Sequence, residues 1–200
     1  MKLRIRGAHM RNRAFPGRTF VLLGLVALGA GAFIASCARS RPIGNARVPQ
    51  TAKSVDLNRY LGHWYEIGRY ENSFEHGCEG VTAAYSLRTD GLIRVVNTCR
   101  EGSPEGRARS SEGKAKVVEG SDNAKLKVSF FGPFFVASYW VLDHADDYGW
   151  SIVGEPTGKY LWILSRDATP SAATIDMLLQ RARELGYDTT LIRMTRQAPG

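Results

Sequence analysis

The sequence predicts an all-β fold: an eight-stranded antiparallel up-and-down barrel with one C-terminal α-helix packed outside it. Eight short segments alternate apolar and polar residues with a period of two, and turn residues such as Gly, Pro, Asp and Asn separate them at regular spacing. One later segment has instead the apolar period of a helix, about 3.6 residues. Because a meander of short strands leaves unpaired edges unless it closes on itself, we expect a closed barrel.

Residues 1–36 have the composition of a secretory signal and are set apart from the folded domain. Residues 1–18 hold six Lys and Arg residues and no acidic residue, and an apolar run that ends in small residues follows them. The end of this run, Ile34-Ala35-Ser36-Cys37, resembles the lipobox of bacterial lipoproteins, in which the cysteine is acylated and becomes the new N-terminus. A signal anchor that stays in the chain is the alternative.

The lipobox resemblance implies lipidation at Cys37 and attachment to a membrane through that anchor, with residues 37–54 as a lipidated polar tether. One acyl chain holds a protein on a membrane only marginally, whereas two or three make the anchor almost permanent. Ala38 stands where an Asp would favour retention in the inner membrane. The resemblance therefore implies the bacterial outer membrane, with the protein facing the periplasm.

The distribution of charge argues against nucleic acid as a partner. The whole chain has a formal net charge of +8, and removal of residues 1–36 reduces it to +2. The remaining Lys and Arg residues are interspersed with Asp and Glu and form no long basic run, which a nucleic-acid interface would need. The length of the mature chain is typical of one domain with one core.

The eight predicted strands follow one another between residues 62 and 166. The segment 124–133 shows the pattern most clearly, because Leu126, Val128 and Phe130 alternate with two lysines and a serine. The same period occurs in the other seven segments, which are 62–70, 80–88, 93–99, 113–119, 134–142, 149–155 and 159–166.

One helix is predicted near the C-terminus. Thr169-Pro170-Ser171 supplies a cap and a proline of the kind found at helix starts, and Gly186 supplies a stop. Between them lies an apolar stripe at helical spacing, formed by Ile175, Leu178, Leu179, Ala182 and Leu185. This stripe predicts a helix packed on the outside of the barrel, and residues 189–194 then predict a short last strand.

Cys78 and Cys99 are predicted to form a disulfide. If Cys37 carries lipid, these are the two cysteines that remain, and export places them in a compartment that permits disulfides. They lie on either side of a turn at Asp90-Gly91, where two strands fold back on each other. No metal site is predicted, because a single histidine, His76, lies near them and no Cys-x-x-Cys spacing is present.

Three short motifs resemble the lipocalin family in order and in place. Gly62-His63-Trp64 begins the first strand, Asp147-Tyr148 lies in the turn after the sixth, and Ser165-Arg166-Asp167 ends the eighth before the helix. Two longer stretches, 61–87 and 126–135, are similar to bacterial outer-membrane lipoprotein lipocalins and to apolipoprotein D-like lipocalins.

The resemblance implies a lipocalin barrel domain over residues 55–196. In lipocalins the Trp of the first motif plugs the closed end of the barrel and the Arg of the third lies across its face, so Trp64 and Arg166 are expected to form this structural pair. Burial of a Trp removes about 150–250 Å² from water, and a guanidinium over the ring adds about 0.5–2 kcal/mol. Both residues are therefore expected to stabilise the fold.

The interior of an eight-stranded barrel has room for packed side chains or for one small ligand. Alternation, with Trp64 and Arg166 marking the inward phase, predicts a mostly apolar interior, which suits an acyl chain. The ligand-binding residues predicted in this way are Glu66, Ala83, Tyr85, Val95, Asn97, Val128, Phe130, Tyr139, Val153, Tyr160 and Trp162, and Ala115 and Leu164 face the same way. A filled core without ligand is the alternative.

Glu66 is the unusual member of this set. Alternation in 62–70 places it on one face with Trp64, Gly68 and Tyr70, and a carboxylate inside a barrel is costly unless it is hydrogen-bonded or solvated. We expect Glu66 to pair with a nearby donor or to contact a polar group of the ligand. The alternative is an enzyme on the same scaffold, an isomerase or de-epoxidase of a bound lipophile, with Glu66 as its acid.

No catalytic residue and no cofactor are predicted, because the sequence shows no second carboxylate, no nucleophile with its base and no cofactor motif that fits such a reaction. The sequence and the resemblance together predict a membrane-anchored protein that stores or transports fatty acids or lysophospholipids in the bacterial envelope.

The apolar segment 130–135 is broken into a turn by a Gly-Pro pair. Phe131, Phe134 and Phe135 could contact either a membrane or a second subunit there, so a homodimer stays open.

Overall fold

The structure is a computed structural model that describes residues 44–45 and 47–198. The predicted secretory signal, the predicted lipidation site at Cys37 and the first part of the tether lie outside these residues. The later part of the tether lies against the barrel wall, where the Ala52 N–H donates to the carbonyl of Leu142 at 2.7 Å.

Eight antiparallel strands form a closed barrel, as predicted. Each strand pairs with the next along the chain, and the first pairs with the eighth, which closes the sheet. The strands are β1 (Gly62–Tyr70), β2 (Cys78–Leu87), β3 (Ile93–Glu101), β4 (Ala108–Val117), β5 (Lys125–Ser129), β6 (Ala137–His144), β7 (Trp150–Gly154) and β8 (Leu161–Ser165). Strand β4 begins earlier than predicted. Residues 109–112 are exposed and polar and show no alternation, yet they pair with β3.

The two ends of the barrel are defined by strand direction. Strand β1 starts at the end that holds Trp64, so the turns that follow β1, β3, β5 and β7 all lie at the opposite end. We call that end the mouth. Its turns are residues 71–77, 102–107, 130–136 and 155–160.

The predicted C-terminal helix is present as α2 (Ala172–Glu184), after a short helix α1 (Leu57–Tyr60). The Ser171 hydroxyl caps α2 by accepting from the Thr174 N–H at 3.1 Å. Gly186 follows the helix with φ +96°, a backbone conformation that favours glycine. The inner face of α2 packs on outward-facing barrel residues in a cluster that includes Ile67, Leu142, Ile152, Leu161, Ile163, Leu178 and Ala182.

Two short helices lie outside the predicted pattern. Helix α1 is capped by the Asp56 carboxylate, which accepts from the Asn58 N–H at 3.0 Å, and it lies at the closed end of the barrel. A 3₁₀-helix (Thr189–Leu191) replaces the first half of the predicted last strand, so that β9 spans only Ile192–Met194. In the part of the chain that the structure describes, no helix has the length and apolar character needed to cross a membrane.

A bulge in β1 changes which residues face the interior. Glu66 and Gly68, which are two residues apart, pair with adjacent residues of β8. Beyond Glu66, the residues of β1 that strict alternation assigns to the interior therefore face outward, and those it assigns to the outside face inward. Tyr70 packs outside the barrel against Tyr187, with ring centroids 5.8 Å apart, and Gly68 lies against β9. The prediction that both share the inward face of Trp64 is wrong, because strict alternation ignores the extra residue.

The C-terminal segment 192–197 completes the barrel wall. Strands β1 and β2 pair with each other only as far as Tyr65 and Thr82. Toward the mouth, β9 pairs with β1, and the Thr195 N–H donates to a carbonyl of β1 at 3.0 Å. The Arg196 carbonyl accepts from an N–H of β2 at 2.7 Å. The segment therefore fills the gap between the two strands.

The predicted disulfide is confirmed. Cys78 and Cys99 are bonded, with Cα atoms 5.3 Å apart, and they join β2 to β3 near the mouth. In the chain-entropy model a cross-link of this span contributes about 3 kcal/mol to stability.

Candidate ligand-binding site

The closed end of the barrel is sealed by Trp64, which is fully buried. The indole N–H donates to the Tyr60 carbonyl at 2.8 Å, and the Arg166 guanidinium lies 3.7 Å from the ring centroid. The guanidinium also donates to the carbonyls of Arg59, Tyr60, Leu61 and His63. Arg166 thus holds helix α1 over the floor of the barrel.

The turn that carries the second motif lies at the same end. Tyr148 has φ +62° and is buried, and its hydroxyl accepts from the Asp56 N–H at 2.8 Å. Its ring stacks on His144, with centroids 4.3 Å apart. The three motif regions therefore meet around helix α1.

Above this floor the barrel encloses a cavity of about 140 Å³ that extends toward the mouth. Nine of the eleven predicted ligand-binding residues line it: Glu66, Ala83, Tyr85, Val95, Asn97, Val128, Phe130, Tyr139 and Trp162. Ala115 and Leu164 line it as well. Most of the wall is apolar, so the cavity suits a hydrocarbon group.

Two of the predicted ligand-binding residues, Val153 and Tyr160, do not line the cavity. Val153 is fully buried in the interior core that includes Trp64, where neighbouring side chains cover it. Tyr160 precedes the start of β8, where alternation no longer applies. Its ring stacks on Trp162, with centroids 5.7 Å apart, and contacts the tilted ring of Phe74 at 5.6 Å.

Three tyrosine hydroxyls form a buried chain in the wall. The hydroxyls of Tyr85 and Tyr139 lie 3.0 Å apart, and those of Tyr139 and Tyr60 lie 2.9 Å apart. The Tyr60 hydroxyl also lies 3.1 Å from the Ser151 hydroxyl. Burial raises the pKa of all three phenols, that of Tyr60 to about 12, so they stay neutral at physiological pH.

Glu66 faces the cavity and is held by an ion pair with Arg69, which is itself fully buried. Glu66 Oε1 accepts from Arg69 Nη1 at 2.7 Å and from the Thr195 hydroxyl. Burial raises the pKa of Glu66 to about 7, and the charge of Glu75 acts in the same direction, whereas Arg69 and Thr195 oppose the shift. The expected pairing of Glu66 with a nearby donor is therefore present.

Glu75, in the turn after β1, places a second carboxylate in the wall. Its Oε2 accepts from Trp162 Nε1 at 3.0 Å, and its backbone carbonyl accepts from Arg69 Nη2 at 2.9 Å. Within the described residues no group of three or more His, Cys, Asp or Glu side chains is placed to hold a metal ion.

Sequence reasoning missed Arg69, Glu75 and Thr195. Arg69 faces inward only because of the bulge in β1, and Glu75 lies in a turn where no alternation exists. Thr195 reaches Glu66 from the other end of the chain. The sequence did contain one signal for such residues. Glu66 was predicted to face the interior, and a buried carboxylate needs a partner that donates to it.

A family model for the lipocalin-like domain matches residues 55–197. The outer membrane lipoprotein Blc of Vibrio cholerae is 42% identical over 155 residues, which cover 75% of this chain and 89% of that protein. The Blc protein of Escherichia coli K12 is 41% identical over 171 residues, which cover 84% of this chain and 93% of that protein. These relatives confirm the predicted localisation at the bacterial outer membrane.

More distant relatives extend beyond bacteria. Apolipoprotein D of Rattus norvegicus is 36% identical over 165 residues, which cover 78% of this chain and 85% of that protein. Among solved structures, insecticyanin from the tobacco hornworm Manduca sexta has a TM-score of 0.59 at 21% identity, covering 76% of this chain and 85% of that chain. The structural likeness confirms the predicted barrel fold.

Proposed function

Because this chain belongs to the lipocalin family, we propose that it is a lipid-binding protein of the outer membrane, anchored through Cys37, that carries fatty acids or lysophospholipids without converting them. The apolar cavity inside the closed barrel is the observation that carries this proposal. Barrel interiors of this size either fill with side chains or take one small ligand, and this one retains a cavity.

The size of the cavity favours a lipid with a single acyl chain. An apolar cavity of about 150 Å³ accepts a group the size of benzene, and the cavity here is about 140 Å³. A segment of one alkyl chain fits such a space, with the rest of the ligand extending into the mouth. A phospholipid with two acyl chains would need a much wider barrel.

The path of the tether supports attachment close to the mouth. Tyr70, at the mouth end of β1, donates its hydroxyl hydrogen to the carbonyl of Gly44 at 2.8 Å. The seven residues from Cys37 to Gly44 span at most about 25 Å when fully extended. In the mature protein, acylation at Cys37 would keep the mouth end within that distance of the membrane surface, where lipids can enter.

Native mass spectrometry of the protein purified from cells, followed by solvent extraction, tests the proposal. We expect a stoichiometric and chemically unaltered single-chain lipid, which a fluorescent fatty acid displaces. A chemically converted lipid would support the alternative of an enzyme that uses Glu66. An empty protein that binds no fluorescent fatty acid would support a filled core and would contradict lipid carriage.

Two neighbouring alanines supply a matched pair of variants. Ala83 lines the cavity, whereas Ala84, next to it on β2, is not among the residues that line it. Ala83→Phe should fill the cavity and lower the affinity of the protein for the fluorescent fatty acid at least tenfold. Ala84→Phe should leave the affinity within about twofold of the wild type. Equal effects of the two substitutions would place the binding site elsewhere.

A further inference from the structure

Two polar groups in the cavity wall have hydrogen-bonding capacity that the protein does not use. One is the side-chain amide of Asn97, and the other is the hydroxyl of Tyr85, which ends the buried chain of tyrosine hydroxyls. Both residues line the cavity, and most of the wall around them is apolar. Because buried polar groups are nearly always hydrogen-bonded, unused capacity inside a cavity points to a ligand that supplies the partner.

Asn97 carries a buried acceptor that lacks a partner. Its Oδ1 atom makes no hydrogen bond with any of the described residues. The same amide has two hydrogens on Nδ2, so it can also donate to an oxygen atom. A hydroxyl both donates and accepts, and it can therefore bond to either atom of this amide.

The chain of hydroxyls leaves capacity at Tyr85 as well. Its far end is the Ser151 hydroxyl, which lies 3.4 Å from the backbone carbonyl of Asp143, and a carbonyl can only accept. When each hydroxyl passes its hydrogen toward that carbonyl, Tyr85 donates to Tyr139 and accepts nothing. If the direction is reversed, the Tyr85 hydrogen is free instead. A ligand hydroxyl can bond to Tyr85 in both arrangements.

The two groups lie at different depths in the barrel. Tyr85 is the deeper one, because it pairs with Gly62 at the start of β1 and its ring centroid lies 6.0 Å from that of Tyr60 in helix α1. Asn97 pairs with Ala83, which lies two residues nearer the mouth on β2. Diagonal neighbours of this kind in an antiparallel pair are about 7–8 Å apart. An acyl chain that extends to the floor therefore brings its last carbons past both groups.

We propose that the cavity takes acyl chains that carry a hydroxyl group at or near the methyl end, with the carboxyl or headgroup left at the mouth. This inference rests on the proposed function and narrows its ligand class to hydroxylated fatty acids and lysophospholipids. A methyl end would leave Asn97 and Tyr85 without partners, whereas a hydroxyl would bond to one of them. In a wholly apolar cavity the same hydroxyl would lose its bonds to water without replacement, and binding would be weaker.

Competition among three acids with the same twelve-carbon chain tests the inference. The acids are dodecanoate, 12-hydroxydodecanoate and 2-hydroxydodecanoate, and the last is an isomer of the second with its hydroxyl beside the carboxylate. Displacement of the neutral probe N-phenyl-1-naphthylamine from the purified protein is measured at pH 7.5, with each acid below its critical micelle concentration. We expect 12-hydroxydodecanoate to compete at a concentration about threefold lower than its isomer, the effect of one net hydrogen bond. An equal or higher concentration would overturn the inference.

Variants of the two polar residues connect the ranking to the wall. Tyr85→Phe and Asn97→Leu each remove one polar partner and nearly keep the size of the side chain. At least one of them should raise the concentration of 12-hydroxydodecanoate needed for displacement about threefold relative to dodecanoate. Tyr65→Phe removes a hydroxyl from the outer face of β1, where the ring packs beside His63, and should leave the ranking unchanged. Because the two variants lie on different strands, the second decides the matter if the first does not fold.

The outcomes separate this inference from the proposed function. If none of the three acids displaces the probe, lipid binding itself fails. If dodecanoate displaces it and the ranking of the two hydroxy acids responds to neither Tyr85→Phe nor Asn97→Leu, lipid binding stands and recognition of a buried hydroxyl is wrong.

Discussion

At the closed end, the Trp64 ring packs against the Arg166 guanidinium on its face and against Tyr60, whose ring centroid lies 5.1 Å away. Arg166 in turn donates to three successive carbonyls at the end of helix α1. A cation is stabilising at the carbonyl end of a helix, and its contact with the indole adds a cation–π interaction. One buried aromatic side chain thus links β1, the end of β8 and helix α1, which covers the floor.

Trp64→Ala should lower the thermal midpoint by about 10 °C. Truncation of a buried Trp costs about 3–5 kcal/mol, and about 1 kcal/mol shifts the midpoint of a domain of this size by 2–4 °C. Differential scanning fluorimetry measures the shift. Trp140→Ala is the control, because Trp140 is only partly buried beneath Lys125 on the outer face, and its loss should cost much less. Equal losses would contradict the role of Trp64 as the plug.

Glu79 illustrates how the C-terminal segment is held by charge. Burial disfavours its ionised form, but a hydrogen bond from the Arg196 N–H and the charges of Arg193 and Arg196 outweigh this and hold the pKa of Glu79 below its usual value. A carboxyl whose pKa is lower in the folded state stabilises the fold above its unfolded-state pKa. That contribution is lost as the pH falls through the folded-state pKa.

Glu79→Gln should therefore destabilise the protein by about 2 kcal/mol at pH 7, the order expected for hydrogen bonds to a charged group. At a pH below the folded-state pKa of Glu79 the difference from wild type should disappear, because the native carboxyl is then protonated as well. Urea unfolding of the variant and the wild type at several pH values measures both the difference in stability at pH 7 and its disappearance in acid. A difference that persists unchanged into acid would mean that Glu79 acts through packing rather than through its charge.

At the scale of elements, the mouth turn 130–136 exposes large apolar side chains. Phe131 is 87% exposed and Phe134 72% exposed, whereas Phe135 folds back over Lys116, whose Nζ lies 4.9 Å from the ring centroid. Exposed aromatic residues grouped on one turn are typical of contact sites with membranes or other proteins. The turn lies at the same end of the barrel as the residue that holds the tether, Tyr70.

The double variant Phe131→Ser, Phe134→Ser should weaken binding of the unlipidated protein to phospholipid vesicles at least threefold in a co-sedimentation assay. Leu87→Ser is the control, because Leu87 is 63% exposed at the opposite end of the barrel. If the double variant leaves vesicle binding unchanged but converts a dimer to a monomer in analytical ultracentrifugation, the turn is a subunit contact instead.

At the scale of the whole molecule, long-range closures hold the barrel together. Strand β8 returns to β1, the segment 192–197 fills the wall between β1 and β2, and the disulfide ties β2 to β3. Contacts between residues far apart in sequence must form before the sheet can close, and such closures are entropically costly. A covalent link between neighbouring strands reduces that cost in the unfolded chain.

Cys78→Ser, Cys99→Ser should lower the free energy of unfolding by about 3 kcal/mol, the value expected for a loop with a sequence separation of 21 residues. Urea unfolding of the double variant and of the wild type under oxidising conditions measures the difference. The reduced wild type should behave like the variant. An unchanged midpoint after reduction would mean that the cross-link adds no stability.

The sequence by itself determined the barrel, the outer helix, the disulfide and most of the cavity wall. Side chains of a strand point alternately to its two faces, so Ala83, Tyr85, Val128 and Phe130 were assigned to the interior from local order alone. The motif residues were placed by the family resemblance. These features depend on short-range pattern, which a single sequence displays directly.

Only the tertiary structure decided the polar part of the cavity wall. Arg69 turns inward because of a bulge, Glu75 enters from a turn, and Thr195 arrives from a segment more than a hundred residues away. None of these positions follows from alternation, because each depends on which strands meet and in what register. A buried carboxylate needs partners, but the chain can supply them from any segment that closure of the barrel brings near Glu66.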